Sequence, residues 1–229
     1  MNDRTSKQYK CLPFFAAAFI TVSIFIRFFE QKEIWASTIL ATNFLSPLIF
    51  ILNDIISEVY GYKSTMTVFW SAFFGRFIFF GICSLIFITP SPGNYHHQND
   101  YNLLFKHIWY PIIVNPFELL MAWWLNAHLI IKWKILLKGK YFWLRSIGSS
   151  GIAEILFAVI TFLILPYAMG FTKTLDTMLW LIAFRLFFSA ILAFPASLIV
   201  SALKTIEKVD AYDKHNNFNP FKKEKSAEI

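Results

Sequence analysis

The fold class is decided by a stretch at residues 48–63, which reads LIFILNDIISEVYGYK. Its carboxylates, Asp54 and Glu58, are four residues apart, so a helix would place them on one face. Similar apolar segments recur along all 229 residues, of which 57% are hydrophobic and 15% charged. A soluble domain carries about 25% charged residues. The composition therefore predicts an all-α integral membrane protein and excludes a disordered or coiled-coil chain.

Six apolar segments are candidate membrane spans, each near the roughly 20 residues that cross a hydrocarbon core. They are Leu12–Phe29, Ile34–Asn53, Met66–Thr89, Pro116–Ile131, Gly148–Ala168 and Met178–Ala202. The sequence also predicts a break at Ser46-Pro47, a helix stop at Gly61 and a helix start at Asn115-Pro116-Phe117-Glu118. Six spans allow two three-helix halves of opposite orientation. We expect a membrane domain over residues 1–209 and a polar cytoplasmic tail over residues 210–229.

Basic residues predict the orientation of these spans. With both termini inside, 15 of the 21 Lys and Arg residues fall in cytoplasmic segments and 3 in outer loops. The other three lie within spans: Arg27, Arg76 and Arg185. Because Lys and Arg are enriched in cytoplasmic loops, both termini are expected in the cytoplasm. The same distribution explains the net charge of +7 without a nucleic-acid partner.

Ionisable side chains within the spans are candidate functional residues, because each costs about 2.5–3.5 kcal/mol near the bilayer centre. Arg76, Arg185 and Glu154 fall in this class, and the alternative is a structural ion pair between Glu154 and one of the arginines. The neighbours Asp54 and Glu58 disfavour double ionisation in a low dielectric, so one of them could hold a proton. The alternative for Glu58 is a place in the cytoplasmic headgroup zone.

Motifs for enzymatic chemistry are lacking. The sequence contains no Gly-rich phosphate loop, catalytic serine motif or metalloprotease helix. His96, His97 and His107 are close in sequence, but no acidic or cysteine partner has the spacing of a metal site. We therefore expect neither an enzyme nor a metal site.

The stretch at residues 48–63 resembles the signature of the queuosine precursor transporter family, also called the vitamin-uptake-transporter-like family. That signature has an aspartate, an Ile-Ser-Glu-Val-Tyr-Gly run and a following basic residue, matched here by Asp54, residues 56–61 and Lys63. Weaker matches follow the same order along the chain: Gln8-Tyr9-Lys10, Arg145-Ser-Ile-Gly-Ser149-Ser150 and Lys208-Val-Asp210-Ala-Tyr-Asp213. Glu154 and Phe157 depart from the family, which usually has glutamine and aspartate there.

The resemblance implies a secondary transporter of the cell inner membrane that takes up 7-cyano-7-deazaguanine or a related 7-deazapurine for tRNA queuosine synthesis. No bound cofactor is needed for such transport. The expected substrate contacts are Asn43, Asp54, Glu118, Glu154 and Arg185, and the expected coupling or gating residues are Glu58 and Arg76. Two alternatives stay open, namely the substrate-binding membrane subunit of a multi-component vitamin or nucleobase uptake system and a structural membrane protein. The sequence also leaves open a homo-oligomer and the coupling ion.

Overall fold

The computed structural model describes residues 9–29, 32–34, 39–92, 96–169 and 175–212. Helices make up most of this part of the chain: α1 Leu12–Phe28, α2 Thr42–Ile88, α3 Gln98–Leu136, α4 Phe142–Met169 and α5 Leu175–Glu207. Between α1 and α2, two-residue strands pair in antiparallel fashion, β1 Glu33–Ile34 with β2 Ile39–Leu40. The predicted helical fold is confirmed, apart from this short pair of strands.

A single non-helical residue, Gly61, divides α2 into two arms, residues 42–60 and 62–88. Gly61 has φ +80° and ψ 178°, a conformation that glycine reaches without the steric cost of a Cβ atom. The predicted helix stop at Gly61 is confirmed, whereas the predicted break at Ser46-Pro47 is wrong. Pro47 lies near the start of α2, where its missing N–H removes one hydrogen bond and the helix continues.

Aromatic contacts show how the second arm runs along α1. Tyr60, just before the break, packs against Tyr9 at the start of α1, with 5.0 Å between ring centroids. Phe79, in the second arm, packs against Phe28 at the end of α1, with 5.9 Å between centroids. The second arm therefore leaves the start of α1 and follows that helix in the same direction.

The other helices also have ends close to Gly61. Glu207, at the end of α5, accepts hydrogen bonds from the backbone N–H of Lys10 and the hydroxyl of Tyr60. Lys134, in the last turn of α3, donates to the backbone carbonyl of Glu58 at 2.6 Å. We call this end of the bundle the basic end. It contains Lys10, Gly61, Lys134, Gly139 and Glu207.

α3 begins much earlier than the sequence predicted. It starts at Gln98 and continues without interruption through residues 115–118, which were expected to start a helix. That prediction is wrong, although Asn, Pro and Glu have the spacing of a helix start. Proline is tolerated inside membrane helices because neighbouring helices and side chains satisfy the freed backbone groups.

Polar residues lie inside the bundle, while many large apolar residues lie on its surface. The buried polar residues include Asp54, Glu58, Asn126, Arg145 and Glu154, and the exposed apolar residues include Leu85, Ile88, Trp180 and Leu198. The interior also holds a large apolar core, but so many exposed large apolar side chains suit a lipid environment. Three helices of the described residues are long and apolar enough to cross a membrane: Thr42–Ile88, Phe142–Ile160 and Met178–Glu207. The six-span count and the division into halves stay predictions.

Candidate functional site

Nearest the basic end, the carboxylate of Glu58 is the centre of an ion-pair network. Arg145 binds it in bidentate fashion, at 2.7 Å from Nη1 to Oε2 and 3.1 Å from Nη2 to Oε1. Nζ of Lys204 lies 2.7 Å from Oε1, and Nζ of Lys134 lies 3.7 Å from the same oxygen. Glu58 and Arg145 are fully buried, at 1% and 0% exposed. We call these four residues and Asp210 the Glu58 group.

Backbone carbonyls near the helix ends hold the cations of this group in place. The break at Gly61 interrupts the helical hydrogen bonds, and Lys134 donates to the carbonyl of Glu58. Arg145 donates from Nε to the carbonyl of Lys140 at 3.0 Å, in the turn between α3 and α4. Backbone carbonyls outside their own helices thus hold the long side chains of Lys134 and Arg145 in place.

Asp210 follows α5 and completes the Glu58 group from outside the helices. Its carboxylate pairs with Lys134 and, at 3.0 Å, with Lys204. Burial alone would raise the pKa of Asp210, but the hydrogen bonds from these two ammonium groups outweigh it and lower the pKa. Asp210 is therefore charged at neutral pH.

Asp54 lies one turn before Glu58 and is held by neutral donors instead of cations. Its Oδ1 accepts a hydrogen bond from Asn126 Nδ2 at 2.6 Å, and its Oδ2 accepts from the hydroxyls of Ser146 at 2.5 Å and Ser150 at 3.0 Å. All four residues are completely buried. The two neighbouring carboxylates therefore have separate partners and do not hydrogen-bond to each other.

Glu154 lies one turn beyond Ser150 on α4. Its surroundings differ from those of Glu58, which has cationic partners, and of Asp54, which has neutral donors. It is 1% exposed, yet neither carboxylate oxygen has a hydrogen-bond partner among the described residues. Arg185 attracts it electrostatically, while Nε of Arg185 donates to Asn43 Oδ1 at 3.1 Å. The guanidinium lies 5.6 Å from the ring centroid of Phe157. We call Glu154, Arg185, Asn43 and Phe157 the Glu154 group.

Buried donors without partners occur on three helices of the described part of the chain, and the one on Asn43 belongs to this group. Among the described residues, Asn43 Nδ2, Trp123 Nε1 and Ser189 Oγ have no hydrogen-bond partner. Ser189 lies one turn after Arg185 on α5, and Trp123 lies one turn before Asn126 on α3. A buried polar atom without a partner costs about 1–3 kcal/mol, so such groups in a native protein point to a ligand or water. The Glu154 group therefore offers a carboxylate and the Nδ2 donor of Asn43 to a polar ligand.

The structure brings only some of the predicted site residues together. Glu154, Arg185 and Asn43 form one group, and Asp54 binds Ser150, which lies one turn before Glu154 on α4. Arg76 is buried in the second arm, and the contacts of Glu58 and Asp54 given above do not include it. Glu118 belongs to α3, but its side chain lies outside the described residues. The roles of all these residues stay predictions.

Several residues of the interior were missed by sequence reasoning: Asn126, Lys134, Arg145, Ser146, Ser150 and Lys204. The Lys and Arg residues among them were counted as cytoplasmic charges, because each lies at the end of an apolar segment. A usable signal existed in Arg145-Ser-Ile-Gly-Ser149-Ser150, whose polar residues recur at helical spacing. Within the described residues, no cluster of His, Cys, Asp and Glu could hold a metal ion.

Comparison with known families shows to which family the chain belongs. A family model described as "Putative vitamin uptake transporter" matches residues 40–200. The chain belongs to this family. The match runs from the start of α2 to near the end of α5 and so includes most of the Glu58 group, all of the Glu154 group and Asp54. It confirms the resemblance found at residues 48–63. Comparisons with curated proteins and with solved structures gave no match.

Proposed function

We propose that this vitamin-uptake-transporter family member binds a 7-deazaguanine, such as 7-cyano-7-deazaguanine, at the Glu154 group. The observation that carries the proposal is the buried carboxylate of Glu154, whose two oxygens have no hydrogen-bond partner among the described residues. A guanine-like edge offers two adjacent N–H donors, and a carboxylate can accept both. The family description supports uptake of a small molecule, and the deazaguanine is the specific substrate proposed here.

The other edge of such a ligand needs hydrogen-bond donors. A ring carbonyl and a ring nitrogen accept hydrogen bonds, and the available donors are Asn43 Nδ2 in the Glu154 group and Ser189 Oγ one turn after Arg185. The ring of Phe157, next to the Arg185 guanidinium, offers an apolar face for stacking. Donor and acceptor patterns therefore support a planar, guanine-like ligand better than a purely apolar one.

Asp54, expected as a substrate contact, already has three donors of its own and is less available to a ligand than Glu154. We propose a coupling role for it instead, because it lies one turn before Glu58 and two close carboxylates disfavour double ionisation. We further propose six spans in the cell inner membrane with both termini in the cytoplasm, so that the basic end faces the cytoplasm. The charge distribution supports this orientation. A topology reporter fused after Ile229 should act as cytoplasmic, and an external signal would contradict the orientation.

Direct binding by the purified protein tests the substrate. We expect saturable binding of 7-cyano-7-deazaguanine, weaker binding of guanine and no binding of an apolar compound of the same size. Proteoliposomes that contain only this chain should take up the bound compound. Binding without uptake would favour the subunit of a multi-component system. Absence of binding across a panel of deazapurines and purines would contradict the proposal.

A further inference from the structure

Glu207 and the residues after it, up to Tyr212, cross the basic end, and we call residues 207–212 the strap. The carboxylate of Glu207 accepts hydrogen bonds from the backbone N–H of Lys10 at 3.0 Å and of Cys11 at 2.5 Å, and from the hydroxyl of Tyr60 at 3.0 Å. The first N–H groups of a helix have no partner within it, and α1 has no side-chain cap from its own N-cap residue. The strap thus caps α1 and ties it to α5.

The rest of the strap binds groups that the break at Gly61 leaves accessible. The N–H of Ala211 donates to the carbonyl of Val59 at 3.3 Å, and Lys134 donates to the carbonyl of Ala211 at 2.7 Å. The Tyr212 ring lies 4.6 Å from Nζ of Lys134, and its hydroxyl occupies the space next to Gly139. The strap therefore joins α1, the first arm of α2, α3 and α5 at one place.

The strap is attached less firmly than the buried pair behind it. Asp210 is 40% exposed and its partner Lys204 is 23% exposed, whereas Glu58 and Arg145 are sealed from solvent. The second partner of Asp210, Lys134, is 2% exposed, so water reaches that pair from the Asp210 side. Partly hydrated ion pairs are weaker than sealed ones, since water can replace a partner. The strap can therefore detach while the pair between Glu58 and Arg145 stays intact.

We propose that the strap is the gate of the basic end, and that it detaches once in each transport cycle. This inference rests on the proposed function, in which the ligand moves from the Glu154 group towards the basic end. Asp210 and Ala211 of the strap bind Lys134, which lies next to Glu58, and Asp54 lies one helical turn before Glu58. A ligand that leaves through this end must move past the Glu58 group and then past the strap.

A labelling experiment tests the gate without any substrate. The protein would carry Ser149→Cys, a buried position, with Cys11 and Cys83 replaced by serine. We expect Asp210→Asn to raise the labelling rate by a small charged methanethiosulfonate reagent at least threefold. The matched control is Asp100→Asn, which removes an exposed carboxylate near His97 and should leave the rate unchanged. Equal rates with and without Asp210→Asn, or the same increase with Asp100→Asn, would overturn the proposal.

A cross-linking experiment tests the gate during transport. Lys140→Cys and Tyr212→Cys, joined by a short bifunctional methanethiosulfonate reagent, should lower uptake at least tenfold, and reduction should restore it. Ligand affinity should stay within twofold, because the Glu154 group is not touched. Lys138→Cys with Lys140→Cys is the control, since both lie in the turn after α3.

The outcomes distinguish a failure of the gate proposal from a failure of the substrate proposal. Full uptake with the strap cross-linked, or a loss of affinity together with uptake, would overturn the gate. A protein that takes up no deazaguanine before cross-linking would contradict the proposed function instead, and the labelling rates would then decide whether the strap seals the basic end.

Discussion

The Glu58 group and the Glu154 group each contain a carboxylate buried in the same helical bundle, but their partners differ completely. Glu58 faces three cations and accepts a bidentate bond from Arg145. Glu154 has no hydrogen-bond partner among the described residues and only the electrostatic attraction of Arg185. Burial alone therefore does not distinguish a structural carboxylate from one that is available to a ligand. The two are distinguished by whether the protein itself supplies donors to the carboxylate oxygens.

The partners of the two carboxylates determine how much each one costs the folded protein in desolvation energy. A buried charge that keeps its partners is stable, and removing one partner exposes the others to the full cost of desolvation. A buried carboxylate without partners already carries that cost, and a ligand that supplies donors relieves it. The first arrangement locks helices together, whereas the second favours binding.

The largest expected effect is on the stability of the Glu58 group. Glu58→Ala leaves Arg145 buried without its carboxylate, which should lower the free energy of unfolding by about 3–5 kcal/mol. The measurement is thermal unfolding of the detergent-purified protein together with its monodisperse yield. Glu154→Ala is the matched control and should leave stability unchanged or raise it. Equal destabilisation by both variants would erase the distinction between the groups.

The bidentate bond between Arg145 and Glu58 can be tested separately from the charge of Arg145. Arg145→Lys keeps the charge near Glu58 but loses the paired N–H donors, so its destabilisation should lie between wild type and Glu58→Ala. Thermal unfolding again gives the result. A variant as stable as wild type would show that charge alone holds this group together.

Asp54 lies between the two groups and should affect coupling more than folding. Because Asp54→Asn keeps the shape but loses the charge, we expect it to flatten the dependence of uptake on pH. Initial uptake rates in proteoliposomes at several pH values, with and without a proton uncoupler, measure this. Ser149→Ala is the control, since among the described residues that hydroxyl bonds to the carbonyl of Ser146 and not to Asp54. Unaltered pH dependence in Asp54→Asn would exclude Asp54 as the coupling group.

The smallest effect is expected at the edge of the Glu58 group. Asp210→Asn should lower the free energy of unfolding by only about 0.2–1 kcal/mol, because Asp210 is partly exposed. The pKa of Asp210 is lowered in the folded protein. Its contribution to the free energy of unfolding is therefore complete at neutral pH and is lost only as the pH falls below the usual aspartate value of 3.8. Chemical denaturation of wild type and Asp210→Asn should therefore differ equally at pH values of about 6 and 8. A difference that disappears between these values would contradict the assigned pairing.

The sequence predicted what depends on composition and local spacing. Apolar segments indicated helices, Gly61 indicated a helix stop, and intramembrane polarity indicated Asp54 and Glu154. Proline was less informative, because Pro47 and Pro116 both lie inside continuous helices. The exact helix ends depend on neighbouring helices that satisfy the freed backbone groups.

The partners of Glu58 could not be predicted, because they lie 76 to 146 residues away in the chain. Lys134, Arg145 and Lys204 occupy the ends of apolar segments, where such residues usually face water or headgroups. Only the three-dimensional arrangement shows that their long side chains turn inwards. The unpartnered oxygens of Glu154 are likewise a property of packing, which no single-sequence pattern records.

The central claim is that Glu154 binds the ligand and that Glu58 does not. Its most direct test is the affinity for 7-cyano-7-deazaguanine of monodisperse wild type, Glu154→Gln and Glu154→Ala. Loss of a charge-assisted hydrogen bond in a dry site costs about 1.5–3 kcal/mol, which is roughly a 10- to 150-fold loss of affinity. We predict that loss for Glu154→Ala, with Glu154→Gln in between because it keeps one acceptor oxygen. Equal affinity of wild type and Glu154→Ala would contradict the claim.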